Sequence, residues 1–229
     1  YLSFIGSEPT NDVKGIWTSP NSPLRWEKPG LLAEINWESV PSLTPLTKLP
    51  PKYLPGQLLR HANELTSKAM EGRAISSKGI DRAALYIADQ FRIAGLQPAN
   101  GTYIQRWRDS ISGYLNSELA NVVGIIPGTN RELSAKPIVI GAHYDHLGVN
   151  DEGEFYPGAD DNASGVSVLI EVAAKLARAF TPQRPILFVA FSGEEQGLLG
   201  SQHFVENPPG GFVTEDLFAM INLDAVGRL

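Results

Sequence analysis

The 229-residue sequence contains no cysteine, and it has only four histidines and two methionines. The absence of cysteine excludes disulfides, thiolate metal ligands and a cysteine nucleophile. Nineteen Lys and Arg stand against 25 Asp and Glu, so the net charge is −6, and no block of basic residues occurs. A nucleic-acid partner is therefore not expected. No apolar run approaches the roughly 18 residues that a membrane span requires.

Residues 1–54 differ from the rest in their high content of proline and tryptophan. Prolines recur along the segment, and three of the four tryptophans of the chain lie in it, namely Trp17, Trp26 and Trp37. Proline disrupts long helices and central strands. We therefore predict an extended arm, or the tail of a preceding domain, that packs on another surface.

Helices and strands alternate in the remainder of the chain. Apolar residues recur at helical spacing after Gln57 and over residues 81–94, with Asp81 as the expected N-cap and Gly95 as the expected C-terminal cap. Short apolar runs predict strands at residues 121–126, 137–142, 185–191 and 217–223, and further helices at 165–179 and 197–206. This alternation favours a three-layer α/β/α fold with a central, mixed but mostly parallel sheet.

Polar side chains follow three of the predicted strands and open one helix. They are His143 and Asp145, Glu194 and Glu195, Asp224, and the pair Asp160 and Asp161. Each cluster alone is typical of a helix cap, a turn or a solvated loop. Ligands of open α/β sheets bind outside the carboxyl ends of the strands, and the coincidence of the clusters at that edge favours a binding site.

These residues predict a site for a divalent metal ion. Histidine and carboxylates without cysteine suit Zn²⁺ or a similar ion. Several carboxylates in one crevice repel one another unless a cation compensates them. With at least four carboxylates available, two ions about 3.5–4 Å apart with a shared ligand fit better than one.

Four ordered motifs resemble those of a known family. They are GAHYDHLG (141–148), GADDNASG (158–165), SGEEQGLLGS (192–201) and NLDAVG (222–227), and residues 72–105 resemble the segment that leads into them. From about residue 54 onward the chain is similar to zinc aminopeptidases of the bacterial leucyl aminopeptidase type. The resemblance implies a zinc exopeptidase (phosphorylase/hydrolase-like) fold over residues 55–229, and peptide or protein N-termini as substrates.

The resemblance also implies a role for each matching residue. His143 and Asp224 would hold one zinc ion and Glu195 the other. Asp160 would bridge both ions. Glu194 would be the general base that takes a proton from a metal-bound water.

Two further residues would support this centre. Asp145 would hold the ring of His143 and fix its tautomer. Asp161 would be joined to Asp160 through a cis peptide bond.

One ligand of the family pattern is missing. The family carries a second histidine ligand on a loop beyond the NLDAVG strand, and the sequence stops five residues after Asp224. None of the other histidines, His61, His146 and His203, stands at the motif position, and none is expected to substitute. We therefore expect the chain to be the N-terminal part of a longer catalytic domain that binds its second zinc weakly. The resemblance further implies a monomer in the periplasm or outside the cell.

Two other functions remain open at this stage. The chain could be a non-catalytic relative that serves as a binding or receptor module. It could also be an enzyme of the glutaminyl cyclase type with a single zinc ion, which would act on N-terminal glutamine.

Overall fold

The computed structural model describes residues 53–111 and 114–227, so the predicted arm at 1–54 lies almost entirely outside the described residues. Four α-helices are present in this part: α1 (Pro55–Leu65), α2 (Lys78–Ala94), α3 (Gly165–Ala179) and α4 (Leu199–Glu206). The strands are β1 (Gln97–Pro98), β2 (Ile104–Ile111), β3 (Tyr114–Ile126), β4 (Ile138–His143), β5 (Gly148–Val149), β6 (Phe155–Tyr156), β7 (Ile186–Phe191) and β8 (Ala219–Asn222). In the described part of the chain, no helix has the length and apolar character needed to cross a membrane.

The main sheet is mixed rather than mostly parallel. Its strand order is β1-β3-β7-β4-β8, and β2 pairs with β3 outside this path. Strands β7, β4 and β8 run parallel to one another, whereas β3 is antiparallel to β1, β2 and β7. The prediction of parallel strands therefore holds for the half of the sheet that carries the polar clusters. A separate two-stranded ribbon is formed by β5 and β6.

Both faces of the sheet are covered, which confirms the three-layer prediction. Alternate residues of β7 belong to different cores, as a strand with two buried faces requires. Phe188 and Ala190 lie in the core with α1, α2 and α3. Leu187 and Val189 lie in the second core, which includes Phe204 of α4.

The predicted C-terminal end of α2 is confirmed, and the predicted N-terminal end is not. Gly95 adopts the left-handed conformation with a φ of 87°, as a C-terminal glycine cap does. The predicted N-cap, Asp81, is wrong. Helix α2 begins earlier, at Lys78, and Ser77 accepts the capping hydrogen bond from the backbone N–H of Ile80. Asp81 lies in the first turn instead, where a carboxylate still stabilises the helix dipole.

A buried polar network connects the three helices on one face. His61 of α1 is 1% exposed. Its Nδ1 lies 2.7 Å from the Tyr86 hydroxyl of α2, and its Nε2 lies 3.0 Å from Glu171 Oε1 of α3. A neutral ring that donates from Nε2 and accepts at Nδ1 satisfies both partners. His61 therefore has a structural role in joining α1 to the rest of the fold.

Replacing His61 with glutamine is expected to lower the free energy of unfolding by about 1–3 kcal/mol near neutral pH, because buried partners lose their hydrogen bonds. Burial lowers the pKa of His61 below its ordinary value of 6.5, although Glu171 opposes the shift. The unfolded chain then binds the proton more readily, so stability is lost as the pH falls below about 6.5. Urea unfolding at about pH 7.5 and about pH 5.5 should show a larger loss in the wild type than in the variant. Equal losses would contradict this role for His61.

Candidate metal centre

The predicted polar residues meet at the carboxyl ends of the three parallel strands. His143 is the last residue of β4, Glu194 and Glu195 follow β7, and Asp224 follows β8. The turn Ala159–Ser164, which precedes α3, brings its side chains to the same edge. Because β4 lies between β7 and β8, the strand order itself places these residues together.

One group of possible metal ligands contains His143, Asp161 and Asp224. His143 Nε2 lies 3.0 Å from Asp161 Oδ1 and 3.4 Å from Asp224 Oδ1. Ligands placed about 2.0–2.2 Å from a tetrahedral zinc ion are roughly 3.4 Å apart. The donor atoms and their spacing therefore fit a zinc ion.

A second group contains His146, Asp161 and Glu195. His146 Nδ1 lies 2.8 Å from Glu195 Oε1. His146 was not expected at the site, because it does not occupy the motif position of the missing histidine. Its place in the sequence, three residues after His143 on the loop that follows β4, is the signal that could have indicated it. Asp161 belongs to both groups, so it is the residue placed to be shared by two ions.

Asp160, the residue predicted to bridge the ions, is absent from both groups that the described residues form. Its Oδ1 accepts a hydrogen bond from the backbone N–H of Gly227, and its carbonyl accepts one from the Ser164 hydroxyl. The predicted cis peptide bond is also displaced by one residue, since it joins Asp161 to Asn162. The irregular turn thus presents the second aspartate of the motif, not the first, to His143.

Asn162 fixes the orientation of this turn, and the sequence analysis missed it. Its side chain is fully buried. Its Nδ2 donates to the Leu223 carbonyl, and its Oδ1 accepts from the N–H groups of Gly165 and Ala225. These bonds connect the turn that carries Asp161 to both neighbours of Asp224.

Asp145 acts on the β7 loop more directly than on the His143 ring. It is 0% exposed, and its two carboxylate oxygens accept hydrogen bonds from the backbone N–H groups of Glu194 and Glu195, each at 3.1 Å. The distance from Asp145 Oδ1 to His143 Nδ1 is 3.7 Å, which is too long for a hydrogen bond. Asp145 therefore positions Glu194 and Glu195, and its interaction with His143 is electrostatic.

The electrostatic balance of the centre calls for a cation. Burial disfavours a charged His143, but Asp145, followed by Glu194 and Asp224, raises the pKa of His143 to about 9. Burial, with the carboxylates Asp145, Glu195 and Asp224, also raises the pKa of Glu194, and only His143 opposes that rise. A divalent ion among these groups reverses both tendencies, because it favours the carboxylate and the neutral imidazole.

Comparisons with known proteins find a matching family profile and similar relatives. The profile of peptidase family M28 matches residues 121–229. A Pyrenophora teres f. teres protein named "Probable zinc metalloprotease" is 35% identical over 160 residues, which cover 66% of this chain and 33% of the relative. A Bacillus subtilis aminopeptidase, YwaD, is 30% identical over 118 residues, which cover 50% of this chain and 24% of the relative. The chain thus spans a third or less of the length of these two relatives.

Solved structures share the fold at low sequence identity. A Zn-dependent exopeptidase from Parabacteroides distasonis superposes with a TM-score of 0.54 at 21% identity, covering 66% of this chain and 55% of that protein. A glutaminyl cyclase from Tannerella forsythia superposes with a TM-score of 0.58 at 21% identity, covering 71% and 59%. Residues 121–229, which carry every member of the two ligand groups, therefore match the profile of peptidase family M28, and the chain is similar to a zinc metalloprotease and to an aminopeptidase.

Proposed function

We propose that this chain carries the metal centre of a zinc aminopeptidase that removes residues from the N-termini of peptides or proteins. The observation that carries the proposal is the position of Asp161 in both ligand groups, because a shared carboxylate is typical of centres with two metal ions. One group then consists of His143, Asp161 and Asp224. The other consists of Asp161 and Glu195, with His146 beside them.

Each residue of the centre has a distinct task in this proposal. Zinc, when bound, lowers the pKa of water and polarises a substrate carbonyl. Glu194 accepts a proton on its carboxylate and later returns it to the departing amine, as a general base and acid does. Asp145 holds the backbone of Glu194 and Glu195, so the base and the ligand keep their relative positions.

A free α-amino group is the substrate feature that the overall charge of the chain favours. The chain carries a net charge of −6, whereas zinc compensates the carboxylates that hold it. A positive N-terminus is attracted to such a field. A monomeric state and a periplasmic or extracellular location stay predictions from the family resemblance.

The proposal is tested on this chain beside a C-terminally extended one, by measuring zinc per chain by elemental analysis together with hydrolysis of leucine p-nitroanilide. Two zinc ions per chain and hydrolysis that a chelator abolishes would support a two-metal aminopeptidase. Cyclisation of a peptide with N-terminal glutamine, without anilide hydrolysis, would favour the cyclase. Bound zinc with neither reaction would favour a binding module. A chain that binds no zinc would overturn the proposal.

A further inference from the structure

Arg73 is a buried cation that contacts the loops of the candidate metal centre. It follows α1, at the end of the short helical segment Lys68–Arg73, and its side chain is 0% exposed. The guanidinium donates four hydrogen bonds, all to backbone carbonyls. The acceptors are Leu65 at 2.6 Å, Tyr144 at 2.7 Å, Pro157 at 2.8 Å and Gly158 at 2.8 Å.

Three of these acceptors lie on the two loops that carry the ligands, and the fourth, Leu65, is the last residue of α1. Tyr144 stands between His143 and Asp145 in the loop after β4. Arg73 holds this loop a second time, since its own carbonyl accepts a hydrogen bond from the His146 N–H at 3.1 Å. A single residue therefore binds the segment of His143 and His146 through both its side chain and its main chain.

The second loop, which leads to Asp161, comes into close contact with the guanidinium at Gly158. Gly158 precedes the turn that contains Asp161, and it has a positive φ of 59°. A Cβ atom at this position would come within 2.5 Å of Arg73 Nη2. Glycine at position 158 therefore permits the short contact through which Arg73 fixes the loop of Asp161.

The charge of Arg73 complements the carboxylates of the centre. Burial lowers the pKa of Arg73 to about 10, while Asp145, Asp161 and Glu195 act in the opposite direction. The side chain therefore remains positive at neutral pH. A fixed positive charge at this place reduces the repulsion among carboxylates that converge on one point.

We propose that Arg73 is a positioning residue of the metal centre, which fixes the loop of His143 and His146 relative to the loop of Asp161 and supplies a permanent compensating charge. The inference rests on the proposed function in one respect, namely that the two ligand groups bind metal. Arginine suits this task because its planar fork donates several hydrogen bonds in a fixed geometry.

The test compares Arg73→Met and Arg73→Lys with the wild-type chain. Zinc affinity is measured by competition with a chromophoric chelator, and ligand geometry by the visible spectrum of the cobalt-substituted protein. Arg73→Met should weaken zinc binding by about 10–100-fold and change the cobalt spectrum. Arg73→Lys restores the charge but not the fork, so it should recover part of the affinity. Arg82→Met is the control, because the Arg82 side chain is 47% exposed and pairs with Glu71 at the surface; its zinc affinity should equal that of the wild type.

Several outcomes would overturn the inference. If Arg73→Met is folded by circular dichroism and keeps the wild-type zinc affinity and cobalt spectrum, Arg73 is only structural. If Arg73→Met does not fold, Arg73→Lys decides, and unchanged affinity with an unchanged spectrum in that variant also refutes the positioning role. A wild-type chain that binds no zinc overturns the proposed function and this inference with it, whereas normal wild-type binding with unaffected variants overturns this inference alone.

Discussion

Asp161→Asn is expected to weaken zinc binding by at least about 100-fold, whereas Asp160→Asn should leave it within about threefold of the wild type. Asp161 is the residue common to both ligand groups, so a neutral amide at this position weakens both sites at once. Asp160 and Asp161 are consecutive residues, and both variants replace a carboxylate with an amide, so the two variants form a matched pair. Loss of an ordinary supporting residue costs about 10–100-fold in metal affinity, and loss of a shared ligand should cost more.

Both variants are expected to fold, so the comparison reports on the metal. The Asp161 side chain is 52% exposed. Asp160 Oδ1 accepts a hydrogen bond from the backbone N–H of Gly227, and an asparagine oxygen can accept the same bond. Thermal unfolding of the two metal-free variants checks this point. Zinc per chain after dialysis and affinity by chelator competition are the measurements. Equal zinc in Asp161→Asn, or loss of zinc in Asp160→Asn alone, would return the bridging role to Asp160.

The sequence was sufficient to predict that these polar residues meet at one edge of the sheet, because their positions follow from the strand ends. Apolar runs predict β4, β7 and β8, and polar residues directly after parallel strands must reach the same sheet edge. His143, Glu195 and Asp224 are placed by this argument alone. The apolar runs do not specify the strand order, in which β4 lies between β7 and β8. The distances between these side chains and the ligand groups that they form depend on that order.

The choice between Asp160 and Asp161 could not be made from local sequence. Both aspartates precede the same helix, and either could face a metal. The orientation of the turn depends on Asn162, whose partners Leu223 and Ala225 are about 60 residues away along the chain. Arg73 was missed for a similar reason, since its burial and its carbonyl acceptors on distant loops are tertiary features.

The predicted strand at residues 121–126 covers only the second part of β3, and the hairpin that β3 forms with β2 was not predicted, although the sequence carries a signal for it. Polar and apolar residues mix in β2, and a strand with one exposed face shows such alternation. Arg106 Nη1 donates a hydrogen bond of 2.6 Å to Glu118 Oε1 on the exposed side of the hairpin, and this is a diagonal pair because the residue opposite Arg106 is Ala120.

Glu194→Gln is expected to lower turnover of leucine p-nitroanilide by about 10²–10⁴-fold while zinc content stays unchanged. Glutamine has nearly the same shape as glutamate, and the backbone N–H of residue 194 still donates to Asp145. The amide cannot accept a proton at neutral pH, so the general base is lost and little else changes. Among the described residues, Glu194 belongs to neither ligand group, which is why zinc should remain.

Glu195→Gln is the matched control, because it makes the same chemical change one residue further along. Glu195 belongs to the second ligand group and lies 2.8 Å from His146. This variant should lose zinc from that group, and its activity should recover in part when excess zinc is supplied, whereas excess zinc should not rescue Glu194→Gln. Zinc loss in Glu194→Gln would make Glu194 a ligand, and near-normal turnover in that variant would remove it as the base. The two neighbours thus separate proton transfer from metal binding, because Asp145 holds the backbone of both residues in the same way.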